Sequence, residues 1–218
     1  MPELGKISKP SVDRFKNKKR LIYVPVFFVP PQISEIKENN PFKDYWAEIA
    51  DNINKLELSL GKIDIIFHEM NTKSKEEGLS IIENLNPDGI DFIKILHNSG
   101  SKISDFENEE LITELMDWQR ALSAGIMSQK AREMISKEYS DTNTKRNESL
   151  LNKISDELKT GSNGILFMRE DHGLQFDNET EVFYVSSNTI SKVHEWLKVE
   201  IEKLMNSKDY ENFVNNGN

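Results

Sequence analysis

Two rhythms of apolar residues alternate along the chain. Short dense runs read as strands: "RLIYVPVFFV" at 20–29, "KIDIIFH" at 62–68, "ILFMR" at 165–169 and "TEVFYVSS" at 180–187. Between them, apolar residues return every three or four positions, the spacing that gives a helix one docking face. Phe42, Tyr45, Ile49, Ile53, Leu56 and Leu60 predict a helix over 41–59, started by Pro41 and stopped by Gly61. Leu111, Leu115, Trp118, Leu122 and Ile126, then Met134, Ile135 and Tyr139, predict another over 107–139. The polar stretch "SDTNTKRNE" is expected to interrupt it before a second helix at 148–159 carrying Leu151, Ile154 and Leu158. A final helix over 189–205 aligns Ile190, Val193, Leu197, Ile201 and Leu204.

The breakers sharpen these boundaries. Pro25 argues for an edge position, a bulge or an early end to the first strand, and Pro30 and Pro31 force an extended exit. Ser74, with Glu77 three residues on, has capping-box spacing for a short helix, although Gly78 weakens it. The period of "IDFIKILHNSGSK" does not decide between strand and helix. Strand followed by amphipathic helix occurs more than once. The expected fold class is therefore α/β: a mixed or mostly parallel central sheet covered by helices, with a helical hairpin or insertion at about 107–159. The short connection after Arg169 also permits one antiparallel pair, and strand order is not readable. The expected organisation is a flexible basic segment at 1–19, a single domain at 20–206 and a flexible tail at 207–218.

Composition narrows the function classes. A formal net charge of −9 opposes non-specific attraction to nucleic acid or anionic membrane, so neither is an expected partner. There are no cysteines, which removes disulfides, thiolate chemistry and Cys-ligated metals. The opening residues hold no apolar signal-peptide core, and "LIYVPVFFVPP" is too short to span a bilayer, which points to a soluble, cytoplasmic protein. No phosphate-binding Gly-rich loop, dinucleotide fingerprint or nucleophile elbow occurs.

Two strand exits carry the candidate chemistry. "FHE" at 67–69 and "REDH" at 169–172 each follow an apolar run, and the carboxyl ends of strands are where open α/β folds assemble sites. If the strands are neighbours, His68, Glu69, Asp171 and His172 are candidate ligands for a divalent metal such as Zn, Mn or Fe. In a metal-dependent hydrolase, His68, Glu69, Glu170 and His172 would be the catalytic residues, with Glu69 activating water and the histidines moving protons. Arg169 would hold an anionic group through bidentate hydrogen bonds. His97 is a further ligand candidate, and His194 beside the last helix's stripe reads as packing or surface. The plainer reading of both clusters is capping and salt bridging where strands meet solvent. The competing function is a non-catalytic interaction or structural protein, a homodimer through the amphipathic helices at 107–139 and 189–205. No cofactor is indicated.

Overall fold

The computed structural model describes residues 17–185 and 187–206. Five strands, β1 (Lys19–Pro25), β2 (Ile65–His68), β3 (Lys102–Ile103), β4 (Asn163–Met168) and β5 (Thr180–Tyr184), form one sheet in the order β3-β2-β4-β1-β5. Every neighbouring pair is parallel. The helices are α1 (Pro31–Ser34), α2 (Phe42–Leu60), α3 (Lys75–Leu85), α4 (Ile90–Asn98), α5 (Glu109–Ser123), α6 (Gln129–Glu157) and α7 (Ile190–Met205). None of the described helices is long and apolar enough to cross a membrane.

Side chains alternate across a strand, so each strand feeds two cores. Ile22, Val24, Ile66, Ile165 and Phe167 face one side, where Tyr45, Ile49 and Ile53 of α2, Ile82 of α3, Ile93 and Leu96 of α4 and Val193 of α7 cover them. Leu21, Tyr23, Ile65, Phe67, Leu166 and Met168 face the other, covered by Leu150 and Ile154 of α6 with Leu158 just beyond it. The first side has four helices and the second essentially one. Each of Leu150, Ile154 and Leu158 is fully buried, worth about 1.5–3 kcal/mol.

The expected α/β fold is present, with all strands parallel. The antiparallel pair does not form: residues 169–179 carry the chain past Leu174 and Phe176 on the second side, so that β5 enters parallel to β1. β1 ends at Pro25, whose carbonyl takes the Tyr45 hydroxyl at 2.5 Å. The undecided stretch at 90–102 is a helix followed by a two-residue strand.

The helical region breaks elsewhere than the polarity suggests. α5 stops at Ser123, and Gly125 at φ 67° occupies the left-handed region that glycine enters freely. "SDTNTKRNE" then lies inside the continuous helix α6, which pairs with α5 as a hairpin. Ser74 stands at the N-cap of α3 but its side chain makes no cap bond. Gly78, unfavourable by propensity, has a packing reason: a Cβ there would lie 2.2 Å from the Lys73 carbonyl oxygen and 2.9 Å from Ile103.

Candidate functional site

Because β2 and β4 are adjacent and parallel, with His68 level with Phe167, the two polar exits meet at the carboxyl edge of the sheet. Glu69 donates its backbone N–H to the Phe167 carbonyl at 2.9 Å. Its fully buried carboxylate accepts the Arg169 backbone N–H at 2.9 Å, Arg169 Nε at 3.2 Å and Arg169 Nη2 at 3.1 Å. From the other side, Arg146 of α6 donates Nη2 to the same carboxylate at 3.2 Å. Arg146 also grips Glu107 in the β3–α5 loop, through Nε at 2.9 Å and a second, short Nη2 contact. Glu107 in turn accepts the Met70 N–H at 3.2 Å.

Glu69, Glu107 and Arg146 are buried, whereas the Arg169 side chain is 48% exposed. Burial works against the charged form of Arg146, but Glu107 and Glu69 outweigh it and raise its pKa. Buried charges of this kind persist only when paired on every side. The side-on grip of Glu69 uses the Nε/Nη2 edge of Arg169, so the Nη1 edge points away from the carboxylate. The guanidinium also lies 5.5 Å over the Phe28 ring, a cation–π contact.

The position of this cluster follows from topology. After β1 and β2 the chain crosses to the first side of the sheet, into α2 and α3, whereas after β4 it turns to the second, where Leu174 packs. Connections that part to opposite faces open a crevice at the strand ends, the general ligand position in open α/β sheets. Two cavities lie there and share Phe28 and Arg169. One, of about 240 Å³, is walled by Met70, Leu85, Ile112, Leu115 and Met116, with Gln119, Arg146 and Arg169 as its polar groups. The other, of about 330 Å³, holds Arg169, Glu170, Asp171 and His194 beside Phe27 and Leu197. Met70 stands at φ 66°, an uncommon conformation for a long side chain and one that costs of order 1–3 kcal/mol.

The histidines do not join this cluster. His68 is buried on the first side against Phe167, with its Nδ1 2.7 Å from the Glu69 carbonyl. A carbonyl only accepts, so the ring proton is on Nδ1 and the buried Nε2 is left without a partner. Burial pushes its pKa down to about 4. His172 lies on the second side, its ring edge-on to Tyr23 at 5.0 Å and its Nδ1 accepting the Leu174 N–H at 2.9 Å. Desolvation lowers its pKa too, against the pull of Glu69 and Asp171. The sheet thus separates His68 from His172, and Glu69 has its oxygens taken by arginines. Asp171 is exposed at the rim. Among the described residues, no group of three or more His, Asp and Glu is arranged to hold a metal.

Glu170 belongs to a separate rim network. It accepts the Tyr184 hydroxyl at 3.1 Å and pairs with His194 Nε2 at 2.8 Å. His97 is tied to the Ser101 carbonyl and Glu76, away from the strand exits. Sequence reasoning named Glu69 and Arg169, their meeting conditional on neighbouring strands, but missed Arg146, Glu107, Tyr184 and the partner role of His194. The one available signal for Arg146 was its four-residue spacing from Leu150 and Ile154, which places all three on the buried face of α6. No protein-family model, no curated protein and no solved structure gives a significant match to this chain.

Proposed function

We propose that the protein binds a small anionic ligand with an apolar body in the 240 Å³ cavity, its charged group on Arg169. One observation carries this reading: two guanidinium groups stand in a cavity whose other lining residues are apolar apart from Gln119 and include no carboxylate. Arg146 commits its Nε and Nη2 to Glu69 and Glu107 and lies buried behind Arg169, whose more exposed Nη1 edge supplies the hydrogen bonds. The strained Met70 on the same wall supports a functional rather than merely structural loop.

Size selects the ligand class. A cavity of about 150 Å³ holds a benzene ring, so this one suits a ring or short alkyl group bearing one carboxylate. The reading is one of binding. Metal-assisted hydrolysis through His68, Glu69, Asp171 and His172 is not favoured, because the two histidines lie on opposite sides of the sheet and Glu69 is already paired.

Calorimetric titration with benzoate tests it, beside toluene as the uncharged control. Benzoate is expected to bind and toluene to bind much more weakly. Arg169→Gln should weaken benzoate by about thirtyfold, the equivalent of a charge-assisted hydrogen bond of about 2 kcal/mol. Met116→Trp, which fills the cavity and leaves the arginines in place, should abolish binding. Equal affinity in the wild type and Arg169→Gln would reject the site.

A further inference from the structure

The sheet has two edges, and they differ. β3 offers two residues, Lys102–Ile103, whereas β5 offers five. The backbone of β5 can be oriented from its ends: Lys19 donates to the Glu179 carbonyl at 3.1 Å and Val185 donates to the Tyr23 carbonyl at 2.9 Å. Residues 179, 181, 183 and 185 therefore turn their N–H and C=O groups toward β1, and residues 180, 182 and 184 turn theirs outward. The Thr180 N–H is taken by Asp177. The outward groups of Val182 and Tyr184, and the Thr180 carbonyl, meet no partner among the described residues.

The side chains of the same three residues lie on the sheet side that α6 covers only over the inner strands. Val182 is 38% and Tyr184 52% exposed. An open edge with β-branched and aromatic residues on its uncovered face is a template for another strand.

We infer that the occupant is a second copy of this chain, paired through β5 antiparallel to β5 about a two-fold axis at Val182. The pattern is self-complementary. Val182 exchanges both backbone bonds with the partner's Val182, and each Tyr184 N–H reaches the partner's Thr180 carbonyl. The unusable Thr180 N–H falls at the outer end, where its loss costs least. On the open face Val182 meets Val182 and Tyr184 meets Thr180, both favourable cross-strand pairs, and no like charges stand opposite one another. Glu181 is already held by Lys18 at 3.2 Å. The interface is the strand edge rather than the helices 107–139 and 189–205, and an isologous contact of this kind closes at two copies. Its small area gives a weak dimer, with a dissociation constant of roughly 10 µM to 1 mM.

The absence of cysteine makes the register directly measurable. A hydrogen-bonded antiparallel pair has Cα atoms about 5.5 Å apart, within disulfide reach. Val182→Cys is expected to cross-link into a covalent dimer under mild oxidation, and Thr180→Cys alone is not, because the two-fold axis separates the two copies of residue 180. Thr180→Cys mixed with Tyr184→Cys should cross-link. Sedimentation equilibrium should show the wild type dimerising with concentration and Val182→Lys, which sets two ammonium groups face to face, at least tenfold weaker. A wild type monomeric up to about 1 mM, or Val182→Cys and Thr180→Cys cross-linking equally, would overturn the proposal. So would a dimer seen only after deletion of residues 1–16, since that result gives the edge to the chain's own first segment.

Discussion

Two carboxylate-centred networks lie side by side at the carboxyl edge of the sheet, placed in different surroundings. Glu69, Glu107 and Arg146 are buried. Glu170 and His194, a short step along the same edge, have side chains 42% and 53% exposed. Burial decides what each charge is worth. In the first network removal of one partner strands the others in a poorly solvated interior, while in the second, water takes the place of whatever is lost. Each network also lines a cavity: Arg146 the one of about 240 Å³, Glu170 and His194 the one of about 330 Å³.

The largest expected effect comes from breaking the buried side. Arg146→Met keeps most of the apolar stem and leaves Glu107 without its guanidinium, so chemical denaturation should show a loss of about 3–5 kcal/mol at neutral pH. An effect below about 1 kcal/mol would show that water already enters the network. Arg146→Lys should recover only part of the loss, because an ammonium cannot bridge both carboxylates in the guanidinium's fork geometry.

His68 gives the next effect, through pH. Its folded pKa of about 4 lies below its ordinary 6.5, so the unfolded chain binds the extra proton between those values. Stability contributed by the neutral ring is complete above about pH 6.5, falls as the pH drops toward 4 and levels off below. The total is about 3 kcal/mol at about 1.4 kcal/mol per pH unit. Comparing wild type with His68→Leu over this range isolates the contribution of the imidazole from that of the carboxylates, and a constant stability difference between them would contradict it.

The smallest effect is expected at the rim. His194→Ala should change stability by no more than about 1 kcal/mol, since a half-exposed side chain exchanges its bond to a carboxylate for bonds to water at little cost. A larger loss would have to come from the ring's edge-on contact with Phe27 at 5.2 Å. His194→Phe, which keeps that contact and removes the bond to Glu170, distinguishes the two.

The contrast also explains what the sequence disclosed. The α/β class was legible because strands and helices have different apolar periods, whereas the meeting of Glu69 with Arg169 stayed conditional on β2 and β4 being neighbours. Arg146 was hidden by its own function. Its face of α6 runs Thr142, Arg146, Leu150, Ile154, apolar only in its second half, because the first half packs on an ionic floor rather than on a hydrophobic sheet. A hydropathy reading takes that polarity for a break in the helix. Tyr184 and His194 were missed for the opposite reason: each sits in a strand or helix whose pattern is fully explained by packing, and nothing local marks the carboxylate they share. Strand order was beyond reach because each central pairing joins segments far apart in the chain.

That last feature has a consequence for assembly of the molecule. β4 lies between β1 and β2, so Arg20 pairs with Asn163 and Ile65 with Gly164. A growing chain that has made α2, α3 and α4 still has no bridge between its first two strands. The centre of the sheet closes only when residues 163–168 arrive, after loop entropy for long segments has been overcome. Folding is accordingly expected to be slow for the chain's size and late in synthesis. Until then the apolar faces of β1 and β2 remain open together, which makes the nascent chain most vulnerable while the α5–α6 hairpin is being completed.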